Sequence, residues 1–248
     1  MDLRRHQLVR LTAAGWRLAS TQHTDPAAQR CLAHWAANDL PLVVATQAVG
    51  VDGGNRVNRV DGVDGVDGVD AFDVGGVALG LPAPADWGRG RFALRVAVEH
   101  LRPGTAAFPL LAEYSDGLWN ESQQGSSLRA ALAGAAAETR VYGSFGWQWL
   151  TRLAYVRERS DLDLLLPAAD AQQADSIVEA LTTCGIDSPR LDGELSFVDG
   201  SAVAWREWAT WRSGRVDTIL VKRLRGARLE TGAAWLEARV RATVEQLA

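Results

Sequence analysis

Two short motifs hold residue types that could do chemistry together: Val141-Tyr142-Gly143-Ser144 and, beyond one helix-length of chain, Asp161-Leu162-Asp163-Leu164-Leu165. Residues i and i+2 of a strand point to the same face, so Asp161 and Asp163 are expected to project together while Leu162 and Leu164 enter the core. Two like charges this close raise each other's pKa unless something positive lies between them. A divalent cation is the simplest solution, and Mg²⁺ (or Mn²⁺) favours such oxygen donors. A strand turning into a helix through Gly143-Ser144 brings backbone N–H groups and a hydroxyl to a helix N-terminus, where phosphate oxygens bind. A phosphate cradle beside a carboxylate pair is the layout of metal-assisted phosphoryl or nucleotidyl transfer. Taken singly, Gly-Ser is an ordinary turn and Asp-x-Asp a pair of solvated strand ends. The combination is what is specific.

Gly143-Ser144 followed by Asp161-Leu162-Asp163 resembles the signature of the polymerase-beta-type nucleotidyltransferase superfamily. The longer run from Tyr142 to Thr151, then Ser160 to Leu164, resembles something narrower, and Asp192-Gly193-Glu194, Ala204 to Trp208 and Leu220-Val221-Lys222 fit it as well. These segments are similar to the phosphoribosyl-dephospho-CoA transferases that make the holo acyl carrier protein of malonate decarboxylase. The resemblance implies a donor, 2′-(5″-triphosphoribosyl)-3′-dephospho-CoA, and an acceptor, a serine of the decarboxylase's acyl carrier protein subunit, with pyrophosphate leaving. It also implies a third carboxylate on a neighbouring strand. Asp192 and Glu194 are both candidates as ligand or general base, with Glu194 slightly favoured; the alternative reading, given somewhat less weight, is that Asp192-Gly193 is a turn and Glu194 a solvated strand residue. Asp161 and Asp163 are the expected metal ligands. Gly143 and Ser144 are the expected holders of the β- or γ-phosphate, and Lys222, Arg157, Arg159 and Arg206 are further candidates for phosphate contacts.

Two other readings stay open. The chain could transfer a nucleotidyl group from ATP to another small-molecule or protein acceptor, or it could be a binding protein with a decayed site. Labelled ATP against the triphosphoribosyl donor separates the first pair.

Composition narrows the field. The 248 residues carry 26 basic and 30 acidic side chains, a net charge of −4, which argues against nucleic acid as the main partner. Two cysteines exclude a disulfide-stapled framework and Cys-rich zinc modules, and Cys31 and Cys184 read as packed thiols. No run of apolar residues is long enough for a membrane span, and Met-Asp-Leu-Arg-Arg-His lacks the apolar stretch of a secretory signal, so a cytoplasmic protein is expected. Among the cations, 25 are Arg and only Lys222 is Lys. A lone Lys in such a chain reads either as a place that needs a compact ammonium rather than a planar fork or, with equal weight, as chance.

The elements that must position these residues follow from pattern. Helices are expected at Pro26 to Asn38 (Asp25 as N-cap), Leu128 to Glu138, Phe145 to Leu153, Asp170 to Cys184 and Thr231 to Leu247. Strands are expected at Leu42 to Val44, Phe92 to Val98, Phe108 to Ala112, Arg140 to Tyr142, Leu162 to Leu166, Asp187 to Phe197, Ala202 to Ala209 and Val216 to Val221. Trp205, Trp208 and Trp211 read as core packing rather than as a platform for adenine, and Arg206 with Glu207 as an ion pair fixing their strand. Val49 to Gly80, with its Asp-Gly-Val repeats, reads as an expanded surface loop, low in complexity near 50–76. The polar run Ser115 to Ser127 reads as a linker. The expected fold is α+β: a smaller N-terminal α/β domain (1–120) and a C-terminal nucleotidyltransferase-like mixed sheet with flanking helices (121–248).

Overall fold

The computed structural model describes residues 3–47, 76–88, 90–102, 106–114 and 123–247. The Asp-Gly-Val repeats, the first part of the expected linker and the boundary at 120/121 lie outside these residues. The chain is α+β, and it divides into two compact units. One comprises Met1–Ala107 with Leu153–Tyr155 and Leu224–Gly226; the other holds Phe108–Arg152, Val156–Arg223 and Ala227–Ala248.

The first unit is built on a five-stranded sheet. Its strands are β1 (Leu8–Leu11), β2 (Leu42–Val44), β3 (Val77–Pro82), β4 (Arg91–Val96) and β5 (Leu101–Arg102), in the order β4-β3-β2-β1-β5 with antiparallel neighbours. Two helices belong to it, α1 (Ala13–Ser20) and α2 (Pro26–Ala37). Asp25 caps α2 as expected, its carboxylate accepting the Ala28 N–H at 2.9 Å, with Pro26 in the first turn. β3 begins at Val77, inside the stretch read as loop, because Val77, Leu79 and Leu81 alternate into the core.

The second unit contains α3 (Gln123–Ala133), β6 (Arg140–Tyr142), α4 (Gly143–Thr151), β7 (Leu162–Ala168), α5 (Ala171–Thr183), β8 (Leu191–Phe197), β9 (Ala202–Ala204), α6 (Trp205–Arg212), β10 (Thr218–Arg223), β11 (Gly226–Thr231) and α7 (Gly232–Leu247). The six strands lie in the order β11-β10-β9-β8-β7-β6. β7 and β8 are parallel, joined through α5 as parallel neighbours require, and β6 and β9 flank them antiparallel, so the sheet is mixed. One face of β7 and β8 (Leu162, Leu164, Leu166, Leu191, Leu195, Phe197) is packed with Leu128, Leu132, Ile177, Leu181 and Trp208 in a single core. The other face carries Asp163, Asp192, Glu194 and Ser196, together with Leu165 and Pro167.

Several expectations are corrected. Phe108 to Ala112 is not a strand; a single bridge pairs Leu110 with Arg140, and the chain then turns back with the N–H groups of Glu113 and Tyr114 on the Leu110 carbonyl. Residues 123–127 of the expected linker are the first turn of α3, which ends at Ala133 rather than Glu138; Leu128 and Leu132, both fully buried, pin it. The strand expected to reach Ala209 stops at Ala204, and Trp205–Arg212 is helical. Trp205 and Trp208 sit three apart and both are buried, a helical spacing rather than a strand's. Arg206 and Glu207 make no ion pair with each other: the Arg206 guanidinium stacks over the Trp205 ring at 4.3 Å and donates to the Leu191 carbonyl, while Glu207 accepts the Leu220 N–H. The tryptophans are core residues, as expected. Phe197, Trp208, Trp211 and Trp235 pack ring against ring, and Trp208 Nε1–H donates to Asp175, which Arg212 also grips.

Cys31 is fully buried and burial pushes its thiol up; Cys184 caps α5 and donates to the Leu181 carbonyl. Both are free thiols. No helix among the described residues is long and apolar enough to cross a membrane.

Candidate active site

The acidic residues meet on the face of the second sheet opposite its core. Register fixes this. Tyr142 stands opposite Asp163, and Asp163 opposite Asp192, so the three form a row across β6, β7 and β8. In the next row Leu165 faces Glu194, which faces Ala204; in the row after that Ser196 faces Ala202, which faces Lys222. Asp161 immediately precedes β7 and shares the parity of Asp163.

Asp163 lies against the first turn of α4. A Cβ built on Gly143 would stand 1.8 Å from Asp163 Oδ2, and Gly143 has φ +59°. Only glycine meets both demands. Further into the helix, a Cβ on Gly146 would stand 2.5 Å from the Val141 carbonyl, so α4 rides directly on the end of β6. Ser144 occupies the first turn, where no side chain caps the helix. Gly193, between the two candidate acids, is strand and not turn; its φ of +142° and the Leu164 carbonyl 2.1 Å from its missing Cβ explain the glycine.

The two candidates for the third carboxylate part company. Glu194 is 4% exposed and receives the Lys222 ammonium at 2.8 Å, so the chain's one lysine serves a buried ion pair. Asp192 stands beside Asp163, with Oδ1 accepting the Gly193 N–H at 2.8 Å. Arg157 and Arg159 are exposed in the loop before Asp161, where the Arg157 N–H bonds the Ser160 hydroxyl. Arg206 is close enough to Asp161 to act on its charge.

Sequence reading missed Arg190. Its fork grips Asp161, Nε on Oδ1 at 3.0 Å and Nη2 on Oδ2 at 2.5 Å, and Nη2 stands 3.8 Å from Asp192 Oδ2. These hydrogen bonds, helped by the charges of Arg190 and Arg206 and opposed by partial burial, hold the Asp161 carboxyl below its usual range. The guanidinium is in turn held in its charged form by Asp161 first, then by Asp192 and Asp163. The available signal was parity: Arg190, just before β8, and Asp192 and Glu194 within it alternate onto one face.

Models of the phosphoribosyl-dephospho-CoA transferase MdcG N-terminal and C-terminal domains match residues 4–58 and 113–233. A phosphoribosyl-dephospho-CoA transferase of Bradyrhizobium diazoefficiens is 34% identical over 210 residues, 82% of this chain and 80% of its own. Proteins of the same name from Xanthomonas campestris pv. campestris and Xanthomonas axonopodis pv. citri are each 33% identical, over 91% and 95% of this chain and 92% and 97% of theirs. The chain belongs to the phosphoribosyl-dephospho-CoA transferase family. It is a transferase, and the C-terminal family match contains every acidic residue of the face described above. No solved structure matches it.

Among the described residues, no three His, Cys, Asp or Glu side chains form a ready-made metal cage. Asp161, Asp163 and Asp192 nonetheless offer carboxylate oxygens on one face, Asp163 in a notch kept open by Gly143. Carboxylate oxygens are the hard donors that Mg²⁺ takes from proteins, one or two at a time, with water and phosphate oxygens completing its shell.

Proposed function

We propose that the chain transfers the phosphoribosyl-dephospho-CoA group of 2′-(5″-triphosphoribosyl)-3′-dephospho-CoA to a serine of the acyl carrier protein of malonate decarboxylase, by the chemistry of the polymerase-beta-type nucleotidyltransferases. The observation that carries the reading is the row Tyr142–Asp163–Asp192, ending at the helix that Gly143 and Ser144 begin. Three carboxylates on one sheet face beside a helix N-terminus suit a polyphosphate brought in with its cation.

Asp161 and Asp163 would hold Mg²⁺ (or Mn²⁺), with Asp192 adjoining. When bound there, the ion supplies Lewis acidity at the α-phosphate and offsets charge on the departing pyrophosphate. The first turn of α4, with the Ser144 hydroxyl, holds β- or γ-phosphate oxygens, and Gly143 lets the Asp163 carboxylate stand against that turn. Arg206 adds positive charge beside Asp161. The carrier's serine oxygen attacks the α-phosphorus in line, the bond from that phosphorus to the bridging oxygen breaks, and pyrophosphate leaves. Asp192 accepts the serine proton, a role for which Glu194 is unsuited because Lys222 neutralises it in a buried pair.

The test is mass spectrometry of the carrier subunit after incubation with the protein, Mg²⁺ and the triphosphoribosyl donor. The expected product carries the added mass of one phosphoribosyl-dephospho-CoA group on a serine. An unmodified carrier in that arm, with an AMP adduct when ATP replaces the donor, would sink the reading in favour of ATP-dependent nucleotidyl transfer.

A further inference from the structure

We propose that Arg190 is a place-holding cation: it occupies Asp161 until the metal–polyphosphate arrives, then releases the carboxylate and turns to a phosphate oxygen. The inference rests on the reading of Asp161 and Asp163 as metal ligands and adds a residue that reading does not contain.

Three observations support it. Both oxygens of Asp161 are engaged by one guanidinium, Nε on Oδ1 and Nη2 on Oδ2, so an ion approaching Asp161 meets a positive charge already seated against both oxygens. The same guanidinium reaches toward Asp192 at 3.8 Å and feels the charge of Asp163, so it sits among all three acids. Cation and metal ion therefore compete for one place, since like charges a few ångströms apart repel. The side chain is also free to leave: it is 60% exposed, whereas its backbone is fixed, with the Arg190 carbonyl accepting the Leu162 N–H at 2.9 Å. A long flexible stem on an anchored backbone lets the guanidinium swing without disturbing the β7–β8 pairing. Its planar fork suits a phosphate as well as a carboxylate.

The exchange also answers an electrostatic need. Three carboxylates gathered on one face repel one another before any ion is bound. Arg190 supplies the compensating charge in that state and a phosphate contact in the next. A purely structural salt bridge would have only the first role.

The test uses the full-length protein and Mn²⁺ alone, followed by the electron paramagnetic resonance signal of the free ion. Arg190→Gln is expected to bind Mn²⁺ about tenfold more tightly than the unmodified chain, since the competing charge is gone. The same variant is expected to bind tripolyphosphate in the presence of Mg²⁺ more weakly, because the phosphate contact is lost. Mn²⁺ affinity that is unchanged or reduced in Arg190→Gln overturns the proposal and leaves Arg190 a structural partner of Asp161. Should Arg190→Gln fail to fold by circular dichroism, Arg190→Lys takes its place. An ammonium cannot grip both oxygens, so tighter Mn²⁺ binding by a smaller factor is expected, and unchanged binding again overturns the proposal. Asp163→Asn separates this result from failure of the underlying reading: if it binds Mn²⁺ as the unmodified chain does, the ligand assignment itself is wrong.

Discussion

Gly143 lacks a side chain because Asp163 stands where one would be. Gly143→Ala must push the carboxylate aside and adopt φ +59°, so activity is expected to fall by about a hundredfold while the melting temperature drops only a few degrees. A variant with full activity would show that Asp163 is not held in place by the turn. Asp161→Asn and Asp163→Asn should each abolish transfer and leave the circular dichroism spectrum intact; retained turnover in either would count against the metal assignment. At this scale much was legible beforehand. The i, i+2 spacing placed Asp161 and Asp163 on one face, and the strand–helix turn at Gly143-Ser144 stands where it was read. The partners of the charged residues were not. Arg190 is one arginine of 25, and its grip on Asp161 depends on two strand ends meeting in space. The lone lysine drew attention by its rarity, yet its partner is set by the order β8-β9-β10, which spacing along the chain does not reveal.

Elements fail or succeed at their close approaches. Gly193 lies mid-strand with the Leu164 carbonyl where a methyl would be, so Gly193→Ala is expected to cost several kcal/mol, about 3 or more, read from urea unfolding. The Lys222–Glu194 pair ties β10 to β8 across β9. Lys222→Met removes the cation from a carboxylate that is 4% exposed and should destabilise by about 3 kcal/mol, whereas Lys222→Met with Glu194→Gln should recover much of it. Equal losses in the single and the double variant would show that the pair is not coupled. Elements with a strong apolar period were readable from the sequence: α2, β2, β7 and α5 all formed close to their expected limits. Misreadings fell where local pattern was ambiguous. The run after Ala202 begins as apolar strand and turns helical at Trp205, and β11 is a polar, largely exposed strand with no alternation to announce it.

For the molecule as a whole, the same charges shape stability against pH. Burial alone would raise the Asp199 carboxyl, but hydrogen bonds from the Ser201 hydroxyl and backbone and from Arg239 outweigh it and hold the group below its usual range. A carboxylate depressed on folding adds stability above its unfolded pKa, near 4, and loses it as pH falls through the lower folded value. The stability difference between the unmodified chain and Arg239→Gln should therefore be full at pH 7 and shrink below about pH 4, as followed by urea titration; a difference constant down to pH 3 would contradict this. The covered ammonium of Lys222 has a practical corollary. It is the only ε-amine in 248 residues and is engaged with Glu194. Acetylating and other amine-directed reagents should leave the folded protein's side chains nearly untouched, and uptake of one such group at Lys222 becomes a direct gauge of how often the β8–β10 tie opens.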